Sequence, residues 1–363
     1  MDQTKLFKMR GQAKYDIVTV SSMGVRITPV NRQPVEAGGP FEMQSTSAET
    51  NVLNVSASLG KEVLVLTRFV EGSAIAAYIK GELRKRNISY IGPDIPQGGP
   101  WGYRHQFNIA DSGYGLRGPV VQNDRAGEVG RTIDAKDYDL KQIFEIDGAR
   151  ILHLSGLIAA MSESTTRACL EIARYAKANG TLISFDLNYR ASFWKGREAE
   201  LRRDFREIAS LADILIGNEE DFQLALGIPG PEAGGEGLVA KIDSFKEMIS
   251  RVKVEFPNAS MFAATLRQVL SANAHLWGAI LNAGDNWFVE EPREIPVLDR
   301  IGGGDGFVAG LLYALLRDFC PSDALKFGWA TGVLAVTMLT DYASPASEEQ
   351  VWNIYKGNAR VKR

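Results

Sequence analysis

The stretch from Asp299 to Phe307 holds the residues whose types and spacing best fit a chemical role. Three glycines, Gly302, Gly303 and Gly304, precede Asp305, and an apolar helical pattern follows at once. Such glycines permit a tight turn and leave main-chain N–H groups unshielded where the helix dipole is positive. The pattern predicts an anion cradle beside a carboxylate that accepts a proton from a hydroxyl attacking phosphorus. A plain glycine-rich loop with a helix-capping aspartate is the alternative.

Other nucleotide and metal motifs are missing from the sequence. It contains no Gly-x4-Gly-Lys-Ser/Thr, and no Gly-x-Gly-x-x-Gly follows the first predicted strand, so neither a P-loop nor a dinucleotide fold is indicated. The three histidines are widely scattered, and the two cysteines, Cys169 and Cys320, lack metal-site spacing. We therefore predict neither a zinc site nor a disulfide framework, and no residue is assigned as a metal ligand.

The elements that must position this chemistry alternate along the chain. Short apolar runs predict buried strands at 15–20, 62–67, 150–155, 181–188, 213–218 and 260–266. Amphipathic or apolar segments with start and stop signals predict helices at 47–60, 73–87, 162–179, 305–318, 322–340 and 346–359. This rhythm indicates an α/β fold in which helices cover both faces of a mostly parallel sheet.

Two segments depart from the rhythm. Residues 24–46 and 97–130 are rich in glycine, proline and polar residues but carry short alternating pieces. We interpret them as strands of a small β lid, and residues 1–363 as one domain.

The composition argues against nucleic acids and membranes as partners. The formal charge of -3 provides no basic field for a nucleic acid or an anionic membrane. No apolar run reaches the roughly 20 residues that span a bilayer, and the first residues lack the apolar core of a signal peptide. We therefore expect a cytoplasmic protein with neither nucleic acid nor membrane as partner.

The segment Asp-Arg-Ile-Gly-Gly-Gly-Asp-Gly-Phe resembles the C-terminal signature of the ribokinase-like, or PfkB, family of carbohydrate kinases. Within that family the chain is most similar to 2-keto-3-deoxygluconate kinases, through Asp299–Asp305 and through Phe-Asp-Leu-Asn-Tyr-Arg at 185–190. Segments 152–156, 211–222 and 264–267 match the same group. The resemblance covers nearly the whole chain and implies a three-layer α/β/α ribokinase-like core.

The resemblance implies a role for each matching residue at the phosphate end. Asp305 would be the catalytic base, and the backbone of Gly302, Gly303 and Gly304 would form the anion hole. The Asn-x-x-Asp pair Asn218 and Asp221 would help to place Mg²⁺ and the phosphates of ATP. Thr265 and Arg267 would contact nucleotide phosphates, and the helix wall around Ala330 would hold adenine.

At the sugar end, Arg190 and Arg125 match positions that hold the carboxylate of a sugar acid. The planar guanidinium can bind both carboxylate oxygens, although Arg125 can also be a solvated charge. Asn51 is retained, whereas Thr46 and Ser47 stand where the family has two glycines, and Ser21-Ser22 where it has Gly-Glu or Gly-Asp. These changes would narrow a sugar pocket, unless Ser47 simply caps the following helix.

The reaction implied is transfer of a phosphoryl group from ATP, with Mg²⁺, to a small-molecule sugar or sugar acid, best 2-keto-3-deoxygluconate. Another sugar, such as fructose or a ketodeoxygalactonate isomer, is the alternative within the class. A catalytically degenerate sugar-binding protein is the alternative outside it. Exposed edges of a small sheet favour a homodimer formed through the lid.

Overall fold

The computed structural model describes residues 7–230 and 238–360. The strands are β1 Tyr15–Val20, β2 Gly24–Pro29, β3 Phe41–Thr46, β4 Val63–Leu66, β5 Phe69–Val70, β6 Ser89–Ile91, β7 Asp94–Ile95, β8 Gln106–Ala110, β9 Val121–Asp124, β10 Ala149–Ser155, β11 Leu182–Asp186, β12 Ile214–Ile216, β13 Met261–Ser271, β14 Ala274–Ala283 and β15 Asn286–Pro296. The α-helices are α1 Ala48–Ser58, α2 Ala74–Lys85, α3 Gly156–Ala159, α4 Glu163–Ala178, α5 Ala191–Trp194, α6 Glu198–Leu211, α7 Glu219–Leu226, α8 Leu238–Glu255, α9 Gly303–Leu316, α10 Pro321–Val336 and α11 Glu348–Tyr355.

Nine of these strands form the central sheet, in the order β15-β14-β13-β12-β11-β10-β1-β4-β6. The pairs from β13 to β6 are parallel, and β14 and β15 continue the sheet as antiparallel strands. Parallel strands with crossover helices are buried on both faces, which is why their sequences are almost continuously apolar.

Two apolar cores lie on opposite faces of this sheet. Neighbouring residues of β1 point to different sides, so that Val18 belongs to the core that includes residues of α4, α6, α7 and α8, whereas Ile17 belongs to the core that includes residues of α1, α2, α9 and α10. The result is a three-layer α/β/α arrangement, which confirms the fold class predicted from the sequence.

Local sequence signals set the helix boundaries. Ser162 caps α4 by accepting a hydrogen bond from the backbone of Thr165, whose hydroxyl accepts in return from the Ser162 N–H. Helix α4 ends before Gly180, which takes a positive φ of 75° that glycine adopts without strain.

The small sheet is separate from the central one. Its strand order is β3-β2-β8-β9, so the strands come from the two segments, 24–46 and 97–130, that interrupt the α/β rhythm. Strand β2 pairs antiparallel with β3 and parallel with β8. The structure therefore places the predicted lid strands in one sheet.

The sequence interpretation missed the β14–β15 hairpin. Both strands are 10 or 11 residues long, and the turn between them passes through Gly284 with a φ of 59°. A Gly-Asp pair between apolar runs is a hairpin signal that could have revealed it. Within the described residues, no helix combines the length and apolar character needed to cross a membrane.

Candidate active site

A cavity of about 720 Å³ opens between the small sheet and the carboxyl ends of the parallel strands. Residues following β11 and β12, the head of α9 and the inner face of the small sheet all border it. Ligands of open parallel sheets bind at this edge, because the strand ends and helix starts meet there. Every predicted site residue except Ala330 lines this cavity.

The glycine-rich turn shapes the phosphate-sized end of the cavity. Gly302 has a φ of 83°, and a Cβ there would lie 1.8 Å from the carbonyl oxygen of Asp341, so only glycine fits. At Gly304, by contrast, a Cβ would meet no protein atom within 4 Å. Glycine at that position leaves the cavity open instead of relieving a clash within the protein.

The head of α9 offers unpaired donors. Gly306 donates the first intrahelical bond, to the Gly302 carbonyl at 2.8 Å. The three N–H groups before it, those of Gly303, Gly304 and Asp305, have no acceptor in the described parts of the chain. Orphan amides at a helix start, where the helix dipole is positive, bind anions. These groups therefore fit a phosphoryl group.

Asp305 lies in the first turn of α9, at the border of this anion site. One of its oxygens accepts a hydrogen bond of 2.8 Å from the side-chain amide of Asn51. Burial raises the pKa of the Asp305 carboxyl group to about 7, and the charges of Glu49 and Asp341 act in the same direction. The bond from Asn51 and the charge of Arg190 oppose the rise. A carboxylate with a pKa near neutrality suits a general base.

Two further acids, Asp186 and Asp221, border the same cavity. Burial raises the pKa of Asp186 to about 8, and the charges of Asp221 and Asp305 add to this effect. Burial also raises the pKa of Asp221. A bound cation would relieve this repulsion, so the carboxylates fit a divalent ion that is shared with phosphates and water. The described residues contain no cluster of three or more acidic, histidine or cysteine ligands.

Asn218 and Asp221 are paired as a helix cap. Asn218 accepts a hydrogen bond of 2.9 Å from the backbone of Asp221, and the Asp221 carboxylate accepts one of 2.9 Å from the backbone of Asn218. The second carboxylate oxygen of Asp221 accepts a hydrogen bond of 2.8 Å from the N–H of Tyr189. The two residues thus start α7 and also border the cavity.

Three arginines give the cavity a positive wall: Arg190, Arg267 and Arg300. Arg190 donates to the carbonyl of Tyr189 at 2.8 Å. Burial and the neighbouring charges of Arg300 and Arg190 lower the pKa of Arg267 to about 10. No acid within residues 7–230 and 238–360 forms a salt bridge with any of the three. The three arginines therefore suit an anionic ligand. Thr265 of β13 lines the same cavity.

Arg125 is held differently from Arg190. Its guanidinium donates to both oxygens of Glu128, at 2.8 and 3.0 Å, and it lies over the ring of Phe193. Glu128 is buried and also accepts a hydrogen bond of 2.5 Å from Ser22. Arg125 therefore borders the cavity with its charge already balanced.

Thr46 and Ser47 border the cavity, but their hydroxyls contact the protein. Thr46 donates to Asp341 at 2.8 Å. Ser47 caps α1, because its oxygen accepts from the N–H of Thr50 at 3.1 Å. The geometry thus agrees with the capping alternative for Ser47.

The structure does not bring Ala330 to the cavity. It is fully buried in α10, whose small residues allow close packing against α9. A Cβ at Gly310 of α9 would lie 1.9 Å from the Thr331 hydroxyl, and one at Gly306 would lie 2.8 Å from Ala335. This small-residue face therefore serves helix packing, and a role for Ala330 beside adenine stays a prediction.

Sequence reasoning missed several polar residues of the cavity. Arg300, Asp186, Asn188, Gln106 and Asn108 line it. Side-chain oxygens of Asn51, Asn188, Gln106 and Asn108 are buried and have no hydrogen-bond partner among the described residues. Buried polar atoms normally find partners, so these oxygens are available to a ligand rich in hydroxyl groups. Alternation in the β8 segment, which puts Gln106 and Asn108 on one face, was the available signal.

The chain is similar over most of its length to several known kinases. The 2-dehydro-3-deoxygalactonokinase of Haloferax volcanii is 24% identical over 351 residues, which are 96% of this chain and 99% of that protein. A 5-dehydro-2-deoxygluconokinase of Clostridium botulinum is 27% identical over 337 residues, 91% of this chain and 89% of the relative. The structure of 2-dehydro-3-deoxygluconokinase from Thermotoga maritima superposes with a TM-score of 0.84 at 25% identity, covering 95% of this chain and 100% of that one.

The family itself is established by a match over more than half of the chain. Residues 133–347, which include the glycine-rich turn and Asp305, match the family model described as pfkB family carbohydrate kinase. The resemblance noted in the sequence is thereby confirmed, together with its ribokinase-like fold. The chain is a carbohydrate kinase of the pfkB family.

Proposed function

We propose that the protein transfers the γ-phosphoryl group of ATP to a hydroxyl of a sugar acid, with 2-keto-3-deoxygluconate as the best single substrate. One observation carries the proposal: the Asp305 carboxylate and three unpaired N–H groups at the head of α9 face the same cavity. A base and an anion site side by side are what phosphoryl transfer to a hydroxyl requires.

The chain's own residues suggest how the reaction proceeds. Asp305 accepts the proton of the attacking hydroxyl, while Asn51 orients the carboxylate through its hydrogen bond of 2.8 Å. The amides of Gly303 and Gly304 donate to the transferred phosphoryl group as negative charge spreads over its oxygens. Arg267 and Arg300 hold the remaining phosphates by charge.

Asp186 and Asp221 would hold Mg²⁺ together with phosphate and water oxygens, and the ion would supply positive charge that neutralises phosphate. Burial raises the pKa values of both acids, and a cation beside them would favour their charged forms.

The choice of a sugar acid rests on Arg190 and on the names of the relatives. Arg190 borders the cavity and forms no salt bridge with the described residues, although its charge lowers the pKa values of Asp186, Asp221 and Asp305. Its guanidinium can therefore still bind a substrate carboxylate. The relatives with 24% and 25% identity over nearly the whole chain are kinases of dehydrodeoxy sugar acids.

A neutral sugar such as fructose is the second candidate, and a specific contact favours it. Glu128 balances Arg125, and the wall formed by Gln106 and Asn108 carries amides instead of charges. The hydroxyl groups of a neutral sugar would donate hydrogen bonds to the unpaired oxygens of that wall. These bonds would favour a neutral sugar, just as an ion pair with Arg190 would favour a sugar acid.

A substrate screen with release of ADP as the readout decides between these candidates. We expect turnover with 2-keto-3-deoxygluconate or its galactonate isomer to exceed that with fructose. Preference for fructose would select the neutral sugar. Thermal stabilisation by a sugar without any ATP turnover would instead indicate a binding protein that has lost catalysis.

A further inference from the structure

Arg26 is a buried arginine that joins the small sheet to the glycine-rich turn. It lies on β2, and its side chain is 1% exposed. One terminal nitrogen forms an ion pair of 2.5 Å with Asp299, and the other forms an ion pair with Asp341. Neither aspartate belongs to the small sheet, since Asp299 precedes the glycines and Asp341 follows α10. A single side chain thus bridges three separate parts of the chain.

Both aspartates in turn contact the glycine-rich turn. The second oxygen of Asp299 accepts a hydrogen bond of 3.0 Å from the N–H of Ile301, the residue before Gly302. Gly302 packs so closely on Asp341 that a Cβ would lie 1.8 Å from its carbonyl oxygen. Arg26 therefore contacts the glycine-rich turn indirectly through two residues, Asp299 on one side and Asp341 on the other.

Two hydroxyls of the small-sheet region support the same carboxylates. Ser112, just after β8, donates to Asp299 at 2.5 Å, and Thr46 of β3 donates to Asp341 at 2.8 Å. Both terminal nitrogens of Arg26 thus donate to carboxylates whose oxygens each accept at least one hydrogen bond. This arrangement fits a structural brace, although Arg26 borders the cavity and its Nε atom is buried without a partner among the described residues.

We infer that Arg26 is a positioning residue: through Asp299 and Asp341 it fixes the amides of Gly303 and Gly304 and the carboxylate of Asp305 relative to the small sheet. Since the small sheet borders the sugar end of the cavity, the brace sets the distance between the acceptor hydroxyl and the phosphoryl site. The inference rests on the proposed function for its catalytic consequence, but the bracing itself is independent of it.

Hydrogen exchange of the ligand-free protein tests the bracing directly. In Arg26→Met, we expect the hydrogen-bonded amides of the turn, those of Ile301 and Gly306, to exchange at least about tenfold faster, with no change in α4. Arg104→Met is the matched control, because Arg104 also belongs to the small-sheet region but pairs with Asp124, away from the turn. Unchanged exchange at Ile301 and Gly306 in Arg26→Met would overturn the inference, and it would do so whether or not a sugar acid proves to be the substrate.

Kinetics test the catalytic consequence. For Arg26→Met we expect kcat to fall about 10- to 100-fold, while the KM for the sugar changes less than about threefold, because a misplaced reacting group costs rate more than binding. Millimolar guanidinium, well below denaturing concentrations, should restore part of kcat. A rise in the sugar KM at unchanged kcat would make Arg26 a direct substrate contact and overturn the positioning role. If the wild-type protein phosphorylates no sugar, the proposed function fails and the exchange result alone decides this inference.

Arg26→Met leaves two buried carboxylates unpaired, so it can fail to fold. The neutral triple variant Arg26→Met/Asp299→Asn/Asp341→Asn removes all three charges and avoids that cost. We expect it to fold by circular dichroism, to show the same fast exchange at Ile301 and Gly306 and to keep the low kcat. A folded triple variant with wild-type exchange and wild-type kcat would contradict the inference.

Discussion

The side-chain amide of Asn51 donates a hydrogen bond of 2.8 Å to the carboxylate of Asp305. The two residues are 254 positions apart in the sequence, on α1 and α9. The bond stabilises the charged form of a group whose pKa burial raises to about 7. The bond from Asn51 thus lowers the pKa of Asp305, so that a larger fraction of molecules carries the charged carboxylate at neutral pH.

The pH dependence of turnover should report this balance. Because the deprotonated Asp305 is the active form, kcat/KM should rise with pH up to about 7 and then level off. The pKa of Asp186, about 8, is close to that of Asp305, so the pH profile alone does not show which of the two acids titrates. Asn51→Leu resolves it, since loss of a hydrogen bond to the charged form should move the acidic limb about one pH unit higher. A limb that stays in place would assign the titration to another group.

Arg190→Ala should weaken binding of the sugar acid more than binding of ATP. Loss of a charge-assisted contact costs about 1.5 to 3 kcal/mol, or roughly 10- to 150-fold in kcat/KM for the acid. KM measured for each substrate in turn checks this. Arg174→Ala is a suitable control, because Arg174 pairs with Glu207 on the surface. Equal losses for both substrates would point to a structural role.

Gly304→Ala should impair the use of ATP without destabilising the fold. A methyl group there meets no protein atom within 4 Å, and alanine favours a helix by about 1 kcal/mol over glycine. The methyl would instead occupy the space that we assign to phosphate, so the KM for ATP should rise about tenfold or more. Gly302→Ala is the contrasting variant, because its methyl collides with the Asp341 carbonyl and should lower the thermal midpoint. An ATP KM unchanged in Gly304→Ala would remove this residue from the phosphate site.

Ser47→Ala should cost stability and leave the specificity constants for sugars unchanged. Removing a serine N-cap lowers the free energy of unfolding by about 1 kcal/mol. Ser73→Ala provides the match, because Ser73 caps α2 by accepting a hydrogen bond of 3.3 Å from the backbone of Ala76 and does not border the cavity. A change in kcat/KM that occurs only in Ser47→Ala would show that the hydroxyl contacts the sugar.

Features that depend on local sequence could be predicted well. The first strand, Tyr15–Val20, was predicted with its observed bounds, because it is a short apolar run between polar segments. The helix that follows the glycine-rich turn was also predicted, although it begins at Gly303 instead of Asp305. Glycine spacing and helix patterning were enough to predict that Asp305 lies beside unpaired amides at the start of a helix.

Features that depend on contacts between distant residues could not be predicted. The ion pair between Arg26 and Asp299 joins residues 273 positions apart, and periodicity carries no information about such a partner. The pairing of Arg125 with Glu128, which also accepts a hydrogen bond from Ser22, was likewise not predicted, and the role of Arg125 at a substrate carboxylate stays a prediction. Ala330 lies on a small-residue face that packs against α9, and sequence alone cannot tell such a face from a ligand wall.

Asp305→Asn should change the thermal stability of the protein by an amount that depends on pH. A carboxyl group whose pKa is raised above its unfolded value binds its proton more tightly in the folded state, so its contribution to stability falls as pH rises from about 4 through 7. Asparagine carries no charge, so Asp305→Asn should unfold a few degrees higher than the parent at pH 8 and no higher below pH 4. Thermal unfolding at the two pH values checks this.

Turnover of Asp305→Asn at saturating ATP and sugar is the most direct test of the mechanism. The amide keeps the shape of the side chain but cannot accept the proton of the hydroxyl, so kcat should fall about 100- to 10,000-fold. The Kd for ATP, measured by calorimetry on the same preparation, should stay within a few-fold of the parent, since the amides of the turn remain. A variant that binds ATP normally and turns over within a few-fold of the parent would contradict the assignment of Asp305 as the base.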